Sequence, residues 1–161
     1  MTALSQQPRI SDDLLELFAS GVTLYVASRD AGMIPESVLG MGIRVHPDRR
    51  KVTVFVPQSL GAQTLANLAD NGQIAVTLCH PPNHRTVQLK GRCTGFRDST
   101  DAERELQEIF RAALVGAFVA VGIARCRTRG LPWWPSTAID FEVADVFTQT
   151  PGPNAGARLA C

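Results

Sequence analysis

The residues best suited to chemistry lie at the start of a helix near the middle of the chain. Ser59 precedes Leu60-Gly61-Ala62-Gln63-Thr64-Leu65, which predicts a helix whose first turn carries a capping hydroxyl and unpaired backbone amides. Such a helix start attracts anions, and a bound phosphate could accept further hydrogen bonds from Ser59, Gln63 and Thr64. Because most helix starts bind only water, the stretch predicts where an anion would lie and not which one.

Other reactive side chains form weaker patterns. Cys79, His80 and His84 lie close together, but their spacing matches no standard zinc pattern and two prolines separate the histidines. The sequence contains no GxSxG elbow, no P-loop and no Rossmann glycine fingerprint. We therefore expect surface histidines and no metal site, and no catalytic residue is identified.

Strands on both sides must position the helix start. Lys51–Pro57 alternates valine with other residues, Gly61–Asn71 has a helical composition, and Gln73–Cys79 is again β-branched. A histidine- and proline-containing loop then leads to a long strand over Thr86–Arg97. The order strand, helix, strand, loop, strand is the strongest structural signal in the sequence.

A glycine-interrupted strand precedes this region. Val38–Val45 contains Gly40 and Gly42 and leads through a turn sequence into Lys51–Pro57, which predicts an antiparallel hairpin. Glycine inside a strand marks either a bulge or a place where another group approaches the backbone closely. Both interpretations stay open: a bulge alone, or a flat ligand lying over the strand.

The second half of the chain supplies a helix followed by an ambiguous segment. Thr100 begins an amphipathic helix that is expected to reach about Leu114. Val115–Ala124 is small and apolar and fits a continued helix, a strand or a buried crossing segment. The arginines that follow would share one face of an extended segment, as a solvated edge or as an anion-binding row; they are Arg125, Arg127 and Arg129.

An aromatic loop precedes the last strand. Both tryptophans of the chain, Trp133 and Trp134, lie between Pro132 and Pro135, ahead of a strand over Thr137–Gln149. Tryptophans in such a loop usually pack against the core or a partner subunit, although an indole beside a planar cofactor is the other interpretation.

Length and composition indicate one domain. The chain has 161 residues, a formal charge of +1 and 19% charged residues, which points to neither a nucleic-acid nor a membrane partner. We expect a flexible N-terminus over residues 1–9, a domain over 10–150 and a flexible tail over 151–161. The cysteines are widely scattered, which favours reduced thiols. The sequence shows neither a signal sequence nor a membrane span, which favours a cytoplasmic location.

The elements together predict a mainly β fold with flanking helices. A short helix after Ser11 and a strand over Val22–Ser28 complete a count of about six mostly antiparallel strands and two or three helices. This order favours a small β-barrel over a parallel sheet.

The central stretch resembles a known family. FVPQSLGAQTLANLADNGQIAVTL followed by RTVQLKG is similar to the corresponding run in FMN-binding split barrel proteins related to pyridoxamine 5'-phosphate oxidase, and the likeness spans Ile10 to Val146. The resemblance implies a split β-barrel that forms a homodimer and binds FMN at the interface between two copies.

The resemblance also suggests positions for the cofactor. It places the flavin ring along Met41 to Val45 and Phe55-Val56, and the phosphate at the helix start. Gln63 and Thr64 stand where relatives usually carry an arginine and a lysine. The positive charge would then have to come from Arg44, from Arg85 or from the row Arg125, Arg127 and Arg129. The candidate cofactor site comprises Gly40, Met41, Gly42, Ile43, Arg44, Val45, Phe55, Val56, Ser59, Gln63, Thr64, Arg85, Thr86 and Trp133.

Two classes of function follow from these observations. The first is an FMN- or flavin-binding oxidoreductase with an unassigned substrate, in which the flavin carries the redox chemistry and the protein orients it. The alternative is a non-catalytic binding protein that has lost the phosphate-binding charges, or a split barrel that binds haem or the deazaflavin F420.

Overall fold

We describe residues 8–159 from a computed structural model. This part of the chain forms seven strands and four helices. They are α1 (Asp12–Ala19), β1 (Thr23–Arg29), β2 (Pro35–Gly40), β3 (Ile43–Val45), β4 (Lys51–Pro57), α2 (Ala62–Asn71), β5 (Gln73–Cys79), β6 (Thr86–Asp98), α3 (Asp101–Ala120), α4 (Arg125–Thr128) and β7 (Ser136–Thr148).

The strands form one antiparallel sheet in the order β2-β1-β5-β6-β7-β4-β3. The mainly β, antiparallel fold with flanking helices is confirmed, but the strand count is seven and not six. The difference arises because the predicted strand Val38–Val45 is divided at Met41-Gly42. Its first part pairs with β1, as in Leu24 opposite Gly40, and its second part forms the expected hairpin with β4.

Alternation explains which residues form the core. β1 and β5 alternate between buried and less buried positions, as a period of two predicts. β4 is buried on both faces, since Thr53 and Phe55 are as fully buried as Val52, Val54 and Val56. Matching apolar positions come from the paired strands, and α1 adds its apolar stripe. The core includes Leu14, Leu17, Phe18, Val22, Leu24, Val26, Ile74, Val76, Leu78, Val87, Leu89, Ile139, Phe141, Val143 and Val146.

Helix α3 is longer than the sequence indicates and crosses the sheet edge. Thr100 and Glu103 form a capping box at its start, and the ambiguous segment after residue 114 continues the helix to Ala120. Gly21 has a φ of +92°, and a Cβ there would lie 2.3 Å from the carbonyl oxygen of Ala113. Only glycine therefore allows the turn after α1 to approach α3 this closely.

The segments after α3 differ from the expectation. The arginines from 125 to 129 do not share an extended face, because Arg125–Thr128 forms a helical turn. Residues 151–159 turn back along β7, where the Leu159 amide donates to the Val146 carbonyl at 2.8 Å and Phe147 bridges to Arg158. These contacts were not predicted from the sequence. Residues 1–7, 160 and 161 lie outside the described part.

Candidate functional site

The start of α2 rests directly on the end of β4. The helix begins at Ala62 with Gly61 as its N-cap, and no side chain within residues 8–159 caps it. Ser59 is therefore not the capping residue. The Leu60 amide donates to the Pro57 carbonyl and forms a turn, so the cap lies two residues later, at Gly61. A Cβ on Gly61 would lie 3.1 Å from Val56 Cγ1. The glycine thus lets the uncapped first turn lie against β4.

Two candidate side chains of the first turn have different environments. Gln63 is exposed and donates to Asn67 Oδ1 at 2.9 Å, while Asn67 donates to Ser28 Oγ at 3.0 Å. Thr64 is 0% exposed, and its Oγ1 has no hydrogen-bond partner in the described structure. A buried hydroxyl without a partner is costly, so this turn has an unused hydrogen-bonding group beside its free amides.

The structure brings the glycine-interrupted strand and Phe55 together. The Met41 amide donates to the Phe55 carbonyl at 2.8 Å, and the Phe55 amide donates to the Gly42 carbonyl at 3.1 Å. A Cβ on Gly40 would lie 2.2 Å from Leu24 Cδ2, and one on Gly42 would lie 2.9 Å from Phe55 Cδ2. In this structure the groups that approach both glycines closely are the protein's own side chains.

Burial divides the candidate strand residues into two sets. Met41, Phe55 and Val56 are buried in the core, whereas Ile43 and Val45 are half-buried. The half-buried pair lines an apolar pocket of about 230 Å³ between α1, β3 and α3. The pocket is completed by Leu15, Phe18, Ala19, Leu106, Ile109, Phe110 and Ala113.

Arg44 is held by a buried carboxylate. Glu103 is only 3% exposed, and its Oε1 lies 3.0 Å from Arg44 Nη1. Arg97 binds both oxygens of Glu103, at 2.8 and 2.7 Å, and the Thr100 amide donates to Oε2 at 2.9 Å. The Arg97 hydrogen bonds are the largest cause that lowers the pKa of Glu103 to about 2, followed by the bond from the Thr100 amide and by both arginine charges.

A hydroxyl network extends from Arg44 across the sheet. Thr53 Oγ1 donates to Asp140 Oδ1 at 2.5 Å and accepts from Arg44 Nη2 at 3.3 Å. His46 Nε2 lies 2.9 Å from the same oxygen. Since the Thr53 hydrogen is directed at Asp140, this His46 nitrogen must carry a hydrogen to form its bond. Arg44 is thereby bound on two sides by groups of its own chain.

The last three candidate residues each have contacts of their own. Arg85 forms an ion pair with Asp13 of α1. The Thr86 amide donates to Thr150 Oγ1 at 3.0 Å, which ties the start of β6 to the segment after β7. The Trp133 ring lies under the guanidinium of Arg111, at 4.6 Å from the ring centroid to Cζ, so this indole packs on α3.

Sequence reasoning missed the network around Glu103. Glu103 is the third residue of a capping box and reads as an ordinary first-turn acid. Its pairing with Arg97, six positions earlier, and with Arg44 depends on how α3 crosses the sheet. No signal in the sequence identifies these partners.

Comparison with known proteins identifies the fold. No protein-family model matches the sequence, and no curated protein matches it at a significant level. Solved structures do match. A protein of the pyridoxinephosphate oxidase family from Clostridium acetobutylicum, related to general stress protein 26 of B. subtilis, aligns with a TM-score of 0.53 at 17% identity, over 91% of this chain and 92% of that chain. The chain has the split-barrel fold.

Other solved proteins of the same fold are described by different cofactors. An FMN-binding protein from Syntrophomonas wolfei matches with a TM-score of 0.50 at 12% identity, over 84% of this chain and 86% of that chain. The haem storage protein HutZ from Vibrio cholerae matches with a TM-score of 0.51 at 12% identity, over 87% and 94%. An F420 reductase matches with a TM-score of 0.55 at 10% identity, over 85% and 98%. The fold is shared among them, whereas the cofactor is not.

No group of three or more His, Cys, Asp or Glu side chains in residues 8–159 is arranged to hold a metal ion. None of the helices within those residues is long and apolar enough to cross a membrane.

Proposed function

We propose that this split barrel binds a flavin, with FMN as the first candidate, and acts as an oxidoreductase on an unassigned substrate. One observation carries the proposal: the uncapped first turn of α2 combines free amides with the buried, unpartnered hydroxyl of Thr64. Amides at a helix start and a hydroxyl donor suit a phosphate group. The FMN-binding protein and the F420 reductase of the same fold support a phosphate-bearing flavin as the first candidate.

None of the candidate residues of the same chain would supply a positive charge to the phosphate. Arg44 is bound by Glu103 and Arg85 by Asp13, while Gln63 is neutral. A charge-assisted hydrogen bond contributes about 1.5–3 kcal/mol, so the absence of two of them lowers affinity by several orders of magnitude relative to a site with both cations. We therefore expect FMN affinity in the micromolar range.

The flavin ring would lie against the accessible part of β3. Ile43 and Val45 are half-buried and apolar, whereas Met41 and Phe55 face the core. Ile43 lies opposite Val54 of β4. From Val54 to Pro57, which precedes the α2 turn, the strand advances by three residue steps, or about 10 Å. When bound, the flavin supplies hydride or electron transfer; the residues of the chain bind it, orient it and exclude water.

A second copy of the chain belongs to the proposal. In one chain, β3 and the start of α2 can contact only one side of a flavin, because the remaining candidate strand residues are packed in the core of the same chain. A homodimer would supply the opposite wall and enclose the ring. The apolar exposure of Ile109, at 73%, is consistent with further coverage near β3.

Titration with FMN and riboflavin tests this function. The two ligands share the ring and differ by the phosphate, so their affinity ratio reports the phosphate site alone. We expect wild-type protein to quench FMN fluorescence with a micromolar Kd and to bind riboflavin about tenfold more weakly, since one weak phosphate contact set contributes about 1.4 kcal/mol. A protein that ignores both ligands would contradict the proposal.

Substitution of Gln63 locates the phosphate. Gln63→Arg adds a cation to the exposed first turn and should tighten FMN at least tenfold while leaving riboflavin unchanged. The matched control is Ala69→Arg, an exposed position on the same helix, about 9 Å further along the axis. Equal gains from both variants would mean that charge acts non-specifically and not at the α2 start.

A binding protein without catalysis is the second candidate, and the occupied arginines favour it. With Arg44 and Arg85 paired internally, the barrel has few groups left for a flavin phosphate and could serve another planar ligand. Absorption spectra after titration with haem and with F420 distinguish the cases. A haem Soret shift without any FMN response, unchanged by Gln63→Arg, would establish this candidate over the first.

A further inference from the structure

A second groove lies on the outer face of the sheet and shares no residue with the candidate cofactor site. It has a volume of about 490 Å³, within the size range of roughly 300–1,000 Å³ that is typical of small-molecule sites. Strands β1, β5, β6 and β7 form its floor and sides. It is lined by Ala27, Ser28, Arg29, Gln73, Ile74, Ala75, Lys90, Gly91, Arg92, Ala144 and Asp145.

The register of the strands explains the shape of this groove. Ala27 lies opposite Ala75, Ala75 opposite Lys90, and Lys90 opposite Asp145, so these side chains form one row on the same face. The two alanines leave a depression in the middle of the row. At Gly91, beside a register shift, a Cβ would lie 2.0 Å from the Glu142 carbonyl oxygen, so the chain is closely packed there without a side chain.

The charge of the groove is positive. Arg29, Lys90 and Arg92 line it, and no carboxylate among residues 8–159 forms an ion pair with any of them. The one acidic side chain of the lining, Asp145, is bound by Arg158 of the segment after β7. The lining therefore presents three cations whose charge is not neutralised within the described chain.

An exposed amide lies beside these cations. Gln73 lines the groove and pairs with Arg92 across β5 and β6. The hydroxyl of Ser28 does not contribute, because Ser28 alternates with Ala27 and Arg29 along β1 and its Oγ accepts from Asn67 Nδ2 of α2 at 3.0 Å on the opposite face.

We propose that this groove binds a small polyanion that carries phosphate or carboxylate groups. Two arginines and one lysine line this concave surface. Lys90 Nζ lies 5.1 Å from the centroid of the Phe147 ring, and Arg29 Nη1 donates to the Asp30 carbonyl, so neither cation is neutralised by its contact. Guanidinium groups bind both anions through paired N–H donors. A concave surface of one charge sign also raises the local concentration of oppositely charged ligands. The groove lies outside the α2 start, so this site does not depend on flavin binding.

Backbone amide NMR with two probes tests the proposal on the full chain. Pyrophosphate and citrate are titrated separately into wild-type protein at low salt, and the amide signals of Ala27, Ala75 and Gly91 are followed. We expect saturable shifts confined to the groove, which weaken at high salt. The stronger probe identifies phosphate or carboxylate as the preferred group.

Charge-removing variants give the decisive comparison. Lys90→Gln and Arg92→Gln change exposed side chains, so the fold is retained, which urea unfolding verifies. Each substitution should lower the affinity for the tighter-binding probe at least tenfold and leave the affinity for FMN unchanged. The matched control, Arg125→Gln, removes an exposed arginine of α4 and should change neither the affinity for the probe nor the affinity for FMN.

Three outcomes would overturn the proposal. Shifts that do not saturate, or an equal loss with Arg125→Gln, would indicate general attraction to positive surface. Absence of shifts for both probes would exclude an anion site in the groove. If sedimentation then showed a dimer whose stability drops with Lys90→Gln, a second copy and not a small anion would be the occupant.

Discussion

The buried carboxylate of Glu103 gives the sharpest test of how α3 is fixed to the sheet. Glu103→Gln keeps the size of the side chain but removes the charge that holds Arg44 and Arg97. Arg44 and Arg97, whose side chains are 36% and 45% exposed, would then both face a neutral, buried amide. We expect a clear loss of stability, because removing one partner of a buried ion pair leaves the other charges uncompensated.

The lowered pKa sets the magnitude. The pKa of Glu103 falls from an ordinary value of 4.5 to about 2 in the folded protein, and each pH unit corresponds to about 1.4 kcal/mol. Ionised Glu103 thus stabilises the fold by about 3 kcal/mol at pH 7. Because the folded pKa is depressed, this contribution is fully present above pH 4.5 and is lost as the pH falls towards 2.

Urea unfolding at two pH values checks this reasoning. At pH 7 the free energy of unfolding of Glu103→Gln should lie about 3 kcal/mol below that of wild type, and at pH 3 the gap should shrink to about 1.5 kcal/mol. Glu105→Gln, an exposed acid on the same helix, should change stability by less than about 0.5 kcal/mol. A gap below 1 kcal/mol at pH 7, or one independent of pH, would refute the assignment.

Three further substitutions test local features. Gly91→Ala should cost about 3 kcal/mol, since its Cβ would meet the Glu142 carbonyl oxygen, whereas Gly95→Ala in the same strand, with no described atom within 4 Å, should be nearly neutral in urea unfolding. Thr100→Ala should cost about 1 kcal/mol through the lost cap, measured in the same way. Thr64→Val removes an unpartnered hydroxyl and should leave thermal stability unchanged or raised while weakening FMN but not riboflavin; unchanged FMN affinity would remove Thr64 from the site.

Local patterns in the sequence were enough to predict the central elements. β4 and β5 occupy the predicted ranges Lys51–Pro57 and Gln73–Cys79, because alternating β-branched residues and turn signals act within a few positions. β7, at Ser136–Thr148, begins and ends one residue before the predicted range Thr137–Gln149. Helix α2 also forms as expected, although its cap, Gly61, lies two residues after the predicted cap Ser59. Gly61 can lie against Val56 where a larger residue cannot.

Features that depend on distant partners could not be predicted. The division of the early strand at Met41-Gly42 follows from pairing with β1 on one side and β4 on the other. The burial of Phe55 depends in part on α3, whose Leu106 and Gln107 lie beside Gly42. Likewise, the partner of Arg44 was not visible in the sequence, because Glu103 reaches it only after α3 crosses the sheet.

The central claim is that the first turn of α2 holds the phosphate of a flavin. Its most direct test follows the backbone amide signals of Ala62 and Gln63 during parallel titrations with FMN and riboflavin. The account predicts saturable shifts of both amides with FMN and none with riboflavin at equal occupancy, because only FMN carries the phosphate. Binding of FMN that leaves both amides unmoved would contradict it.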